Sequence, residues 1–116
     1  MNSSKLRVQF FTTHSGKEPV RDWLLGLEAI ERKTIGNDIK TVQYGWPIGM
    51  PLVRKMEPDL WEVRVHLANK IARILFTMAD AKTLLLLHGF IKKSTATPRE
   101  DLELARKRLQ QLRSLL

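Results

Sequence analysis

Arg64, His66, Arg73, Lys92 and Lys93 are side chains that suit phosphate or acid–base chemistry, and their spacing could bring them together. Arg64 and His66 lie two apart, so an extended strand puts them on one face. Arg73 follows the short turn Ala68-Asn69-Lys70, early on the next strand, where a hairpin would bring it close to them. Lys92 and Lys93 end the apolar run TLLLLHGFIKK. If these strands adjoin, five cationic or titratable groups ring one end of a sheet.

Such a ring could cut RNA through the RNA's own 2′-hydroxyl. Attack on the adjacent phosphate gathers negative charge on its oxygens, and fixed Arg and Lys side chains stabilise that charge. A base must take the hydroxyl proton and an acid must protonate the leaving oxygen. Histidine can do either near neutral pH, and lysine can if neighbouring cations depress its pKa. The chemistry requires no metal.

Each residue also has a simpler explanation. Lysines at strand ends block edge-to-edge association. Arg73 could pair with a carboxylate such as Glu62, His66 could be a surface histidine, and His88 fits a hydrogen-bonded core position. Other chemistries find no support. There is no phosphate-binding Gly-rich loop, no nucleophile elbow and no metal-ligand spacing among the scattered His14, His66 and His88. The absence of cysteine excludes disulfides and thiol catalysis. No cofactor is expected.

The elements that must position these residues follow from hydrophobic spacing. KLRVQFF, residues 5–11, predicts a strand with Leu6, Val8 and Phe10 on one face. EPVRDWLLGL predicts a short helix with Pro19 in its first turn, and a second helix should run from about Glu28 to Tyr44. The Gly/Pro loop GWPIGMPL cannot continue it. Three strands should follow: one within VRKMEPDLWEVRVHL, strongest over 60–67, then IARILFTMA, then TLLLLHGFIKK. Thr97-Pro98-Arg99-Glu100 reads as a capping box opening a last helix. Its stripe is Leu102, Ala105, Leu109, Leu112 and Leu116, with Arg99, Arg106, Lys107, Arg108 and Arg113 on the wetter side.

The order is β-α-α-β-β-β-α, an α/β (α+β) class with a small, mostly antiparallel sheet, two N-terminal helices and one C-terminal helix. The first strand can pair in parallel with a later one, because two helices separate them. The 116 residues are expected to form a single domain spanning 1–116. A formal charge of +8 favours a polyanionic partner: nucleic acid, the ribosome or an acidic protein. No secretory signal or membrane-spanning run is visible, so a cytoplasmic protein without membrane contact is expected.

The element order and these residues together resemble the RelE superfamily of toxin ribonucleases, specifically its HigB-like, phage-derived branch. The most specific stretches are LWEVRVHLANKIARILFTM and LLLLHGFIKKSTATPREDLELARKR. The resemblance implies a toxin of a type II toxin–antitoxin system: an endoribonuclease that cuts mRNA, usually in the ribosomal A site. It also implies a cognate antitoxin, often a helix-turn-helix DNA-binding protein.

By the same resemblance, Arg73 matches an arginine that contacts the scissile phosphate. Lys93, or Lys92 with it, matches a basic position that stabilises or protonates during cleavage. Arg64 and His66 fall where some members bind phosphate or activate the hydroxyl. Arg54, Lys55, Lys70 and Arg99 are expected to bind RNA. Many members carry a C-terminal tyrosine that stacks on a base, whereas no tyrosine follows Tyr44 here. That departure leaves an alternative, a RelE-fold module that grips nucleic acid, ribosome or host protein without cutting.

Overall fold

The computed structural model describes residues 5–92 and 97–115. The elements are β1 Arg7–Phe10, α1 Pro19–Leu25, α2 Ala29–Gly45, β2 Val53–Glu57, β3 Leu60–Leu67, β4 Lys70–Asp80, β5 Thr83–Lys92 and α3 Arg99–Arg113. They build one five-stranded sheet in the order β1-β5-β4-β3-β2. β1 pairs in parallel with β5, and every other pairing is antiparallel. The expected α/β class, its helices and its parallel return strand are all present.

The sheet has one strand more than expected. VRKMEPDLWEVRVHL is a hairpin rather than a single strand: Pro58 and Asp59 turn the chain between β2 and β3, with Asp59 at a φ of 64°. Aspartate tolerates that left-handed conformation better than most side chains, so Pro-Asp was the available signal. The next turn works the same way, with Asn69 at φ 62° closing the tight connection from β3 to β4.

Both faces of the sheet are covered. α1 and α2 bring Val20, Ile35, Ile39 and Val42 against Val63, Val65, Ala72, Ile74, Phe76, Leu84 and Leu86. α3 brings Ala105 and Leu109 against Leu60, Leu75, Leu85, Leu87 and Phe90. Double coverage explains why β5 is apolar on both faces, as a strand inside such a sheet must be. A bulge in β5 sets Leu86 opposite Phe76 and His88 opposite Leu75, leaving Leu87 as the extra residue. It turns Leu87 and His88 together toward α3, where Leu87 joins the core and His88 meets Asp101.

Beyond the bulge, Gly89 faces α1. A Cβ at Gly89 would run into Cε3 and Cζ3 of Trp23, whose indole lies flat against the bare backbone. Gly89→Ala should therefore destabilise by about 1–3 kcal/mol, the usual cost of overpacking a filled site. In a domain this size that lowers Tm by roughly 4–12 °C. A melt at or above the parental value would mean that the indole does not sit there in solution.

The capping box does not form. α3 begins at Arg99 with Pro98 as its N-cap, no side chain caps its amides, and the Thr97 hydroxyl points elsewhere. Arg106 instead fixes the helix from the side, its Nε and Nη2 donating to the Glu57 carboxylate at 2.7 to 3.0 Å. Those bonds hold the Glu57 carboxyl below its ordinary pKa. Arg113 adds a 2.6 Å contact to Asp59, so α3 is tied twice to the β2–β3 hairpin. Arg108 departs from its expected wet position. It is half-buried, donating from Nη1 to the Leu87 carbonyl at 2.8 Å, and loss of water pushes its pKa down. Leu116, expected on the apolar stripe, lies outside the described residues.

Candidate active site

The ladder registers sort the α3-side face into rows across β3, β4 and β5. His66, Ile71 and Lys92 stand side by side, then Arg64, Arg73 and Phe90, then Glu62, Leu75 and His88. Alternation along each strand puts all nine on one face. Arg64, His66, Arg73 and Lys92 thus occupy two adjacent rows. Lys93 lies outside the described residues.

The four differ sharply in access. Arg73 is fully buried, as is Glu62, the carboxylate with which the sequence suggests it could pair. Arg73 Nη1 donates to Glu62 Oε1 at 3.1 Å and to Thr97 Oγ1 at 3.2 Å, and the Thr97 hydroxyl donates to Glu62 Oε2. The physical reason is charge cancellation. A guanidinium this deep must be paired, and a diagonal carboxylate on the neighbouring strand pairs it. This network also spends the Thr97 hydroxyl that would otherwise cap α3. It ties β3, β4 and the segment entering α3 into one unit.

Arg64 stands directly across the ladder from Arg73, so two like charges face each other. Glu62 neutralises only Arg73. No carboxylate among the described residues pairs with Arg64, and its Nε is buried without a hydrogen-bond partner. The residue as a whole is only partly buried. His66 is exposed at the end of β3, and Lys92 is partly buried at the end of β5. Asp38 on α2 stands near His66. Burial raises the Asp38 carboxyl, and its electrostatic interaction with His66 opposes that rise. The open part of the face therefore carries Arg64, His66 and Lys92, with the Arg73–Glu62–Thr97 network behind them.

The remaining expected RNA contacts scatter. Arg54, opposite Glu62 on β2, shares this face and is exposed. Lys55 and Lys70 do not. Lys55 lies 6.0 Å above the Trp61 ring on the other face, and Lys70 makes a 2.6 Å ion pair with Glu31 of α2. Strand alternation forces this, because each is next in its strand to a residue that faces α3, Lys55 to Arg54 and Lys70 to Ile71. Arg99 is almost wholly exposed at the start of α3 and pairs with Glu103 at 2.9 Å. An exposed i,i+4 pair of this kind is readily exchanged for another anion.

Next to the site, His88 holds Asp101 Oδ1 at 2.7 Å through Nε2, while Arg108 Nη1 approaches Nδ1 at 3.5 Å. With Phe90 stacked on the ring at 5.4 Å, this is the hydrogen-bonded core histidine that its apolar surroundings predict. No group of His, Asp or Glu among the described residues could hold a metal ion.

A model of the family described as Phage derived protein Gp49-like (DUF891) matches residues 22–110. The chain belongs to that family. It is a RelE-like family of toxin-like proteins. No curated protein gave a significant match. In this Gp49-like chain the matched span runs from α1 into the last turns of α3, so it contains the whole of the face described above. Membership in a toxin-like family implies an antitoxin partner. No helix among the described residues is long and apolar enough to cross a membrane.

Signals for most of this arrangement are present in the sequence. The pairing of Arg73 with Glu62, one of the simpler explanations that the sequence offers, is what the structure shows. Thr97, expected to cap the last helix, is instead a member of that buried network.

Proposed function

We propose that this chain is the toxin of a type II toxin–antitoxin system of the HigB-like kind. It cuts mRNA on the ribosome through the RNA 2′-hydroxyl and so stops translation. The observation that carries the reading is Arg64: a cation on an open sheet face, without a counter-charge among the described residues, in the row next to that of His66 and Lys92, in a chain of a toxin-like family.

In this reading Arg64 receives the scissile phosphate and stabilises the charge that grows on its oxygens. His66, at the rim, exchanges the proton of the attacking hydroxyl or of the leaving oxygen. Lys92 completes the positive end of the face, and Lys93, next in the sequence, stabilises or protonates during cleavage. Arg73 holds the rows in place from behind through Glu62 and Thr97. Arg54 and Arg99 guide the strand of RNA. The cognate antitoxin is a helix-turn-helix DNA-binding protein.

The test is mRNA cleavage by the purified chain, with and without ribosomes, read by primer extension and by the chemistry of the new ends. Attack by the 2′-hydroxyl leaves a 2′,3′-cyclic phosphate upstream and a free 5′-hydroxyl downstream. Any cutting of free RNA should survive EDTA, since side chains supply the charge. Ends bearing 5′-phosphate, or loss of cutting in EDTA with rescue by one divalent ion, would overturn the mechanism. Binding without any cleavage would favour the non-catalytic module, a reading that the burial of Arg73 also supports.

A further inference from the structure

Away from the rows of Arg64 and His66, the loop after β1 and the C-terminal half of α3 enclose two adjoining concavities of 490 and 390 Å³. Phe11, Thr13, His14 and Gln111 belong to both, so together they form one trench. Its two halves differ in chemistry. The larger has apolar walls from Phe10, Leu85 and Leu112, with Leu115 four-fifths exposed at its lip. The smaller is basic, with Lys107 and Arg108 facing His14. Among the described residues, no aspartate or glutamate lines either half.

Arg108 is the pointed feature. Its guanidinium lies 5.8 Å above the Phe11 ring and is half stripped of water. Its polar contacts are the Leu87 carbonyl and the long approach to His88 Nδ1, with no carboxylate among the described residues. Burial alone pushes its pKa down. A half-buried cation of this kind gains from an incoming carboxylate more than an exposed one does, because solvent screens the pair less.

We propose that the trench is a docking site for a peptide segment of another protein. Arg108 and Lys107 receive a carboxylate of that segment, and the cleft walled by Phe11 and Leu112 receives an adjacent bulky apolar side chain. Charge complementarity selects this occupant. A second copy of the chain, at +8, would bring more positive charge to a basic trench. A nucleic acid strand needs cations at successive phosphates, and no lysine or arginine among the described residues lines the larger half.

Placement gives the site a consequence. α3 is about 22 Å long at 1.5 Å per residue. Thr97, two residues before its first, touches the Glu62–Arg73 pair, whereas the trench borders its second half. A segment seated in the trench leaves Arg64, His66 and Lys92 uncovered. The inference does not depend on the nuclease reading.

The test uses the full chain, ¹⁵N-labelled, titrated with a synthetic peptide of about twelve residues bearing glutamate and leucine on one helical face. Shifts are expected at residues 11–15 and 104–115, with little change at Arg64, His66 and Lys92. Lys107→Glu and His14→Glu, both exposed positions, should each weaken binding about tenfold. Serine in place of the peptide's leucines should abolish it. The proposal is overturned if the peptide does not bind, if the serine peptide binds as well, or if shifts spread over the whole basic surface. It is equally overturned if an oligouridylate, rather than the peptide, moves the trench resonances.

Discussion

Glu62→Ala should destabilise the protein by about 3–5 kcal/mol, the cost of leaving a buried charge without its partner. At roughly 4 °C per kcal/mol in a domain of this size, Tm should fall by roughly 12–20 °C. Arg73 and Glu62 are both fully buried, so water cannot take over the lost contact without opening the face. Arg73→Ala should cost a similar amount, since it strands the carboxylate of Glu62. Removing both charges with residues of matching volume, as in Arg73→Met with Glu62→Leu, should recover much of the loss. The measurement is urea denaturation of the parent and the three variants side by side. If either alanine variant unfolds within about 1 kcal/mol of the parent, the pair is reached by solvent and Arg73 returns as a candidate for direct phosphate contact.

Arg64→Ala should lower the rate of mRNA cleavage about a hundredfold while leaving Tm near the parental value. The stability half of that statement follows from the structure. Arg64 contributes no ion pair among the described residues and faces another arginine across the ladder, so its loss relieves a repulsion. The rate half follows from the proposed role, and it separates Arg64 from Arg73, whose loss should be visible first as unfolding. Lys92→Ala should slow cleavage as well. If both cations act on one phosphate, the double variant should lose less than the product of the two single losses. Lys40→Ala, an exposed position on α2 at the opposite face, controls for the general loss of positive charge. An Arg64→Ala protein that folds and cuts at the parental rate would remove this face from the mechanism. Arg64 would then be a solubilising charge and no more.

The two expected results turn on a distinction that spacing alone did not contain. Arg64 sits on the polar face of an alternating strand and Arg73 shares a face with Ile71 and Leu75, and pairing the two strands puts both arginines on one side of the sheet. The face is correct for both. What differs is depth, and depth is set by where α3 lands. At the Glu62 and Arg73 end, Thr97 and the helix that follows come down onto the sheet, and one step further along β3 they no longer cover it.

By itself, the sequence determined the local and near-neighbour features. Period-two alternation assigned faces to β3 and β4, the apolar run of β5 required cover on both sides, and Pro19 placed the first turn of α1. The resemblance to RelE-like toxins also rested on sequence alone, through stretches that the family match includes. These features depend on residues a few positions apart, or on strands joined by a short turn, so the pattern in the chain is the pattern in space. Only the tertiary structure decided the rest: that Thr97 serves Glu62 rather than its own helix, and that Arg108 is half-buried over Phe11. In each case a polar side chain had two partners within reach, one local and one distant in sequence. The choice between them follows from the desolvation of buried charge, which depends on packing between elements far apart in the chain.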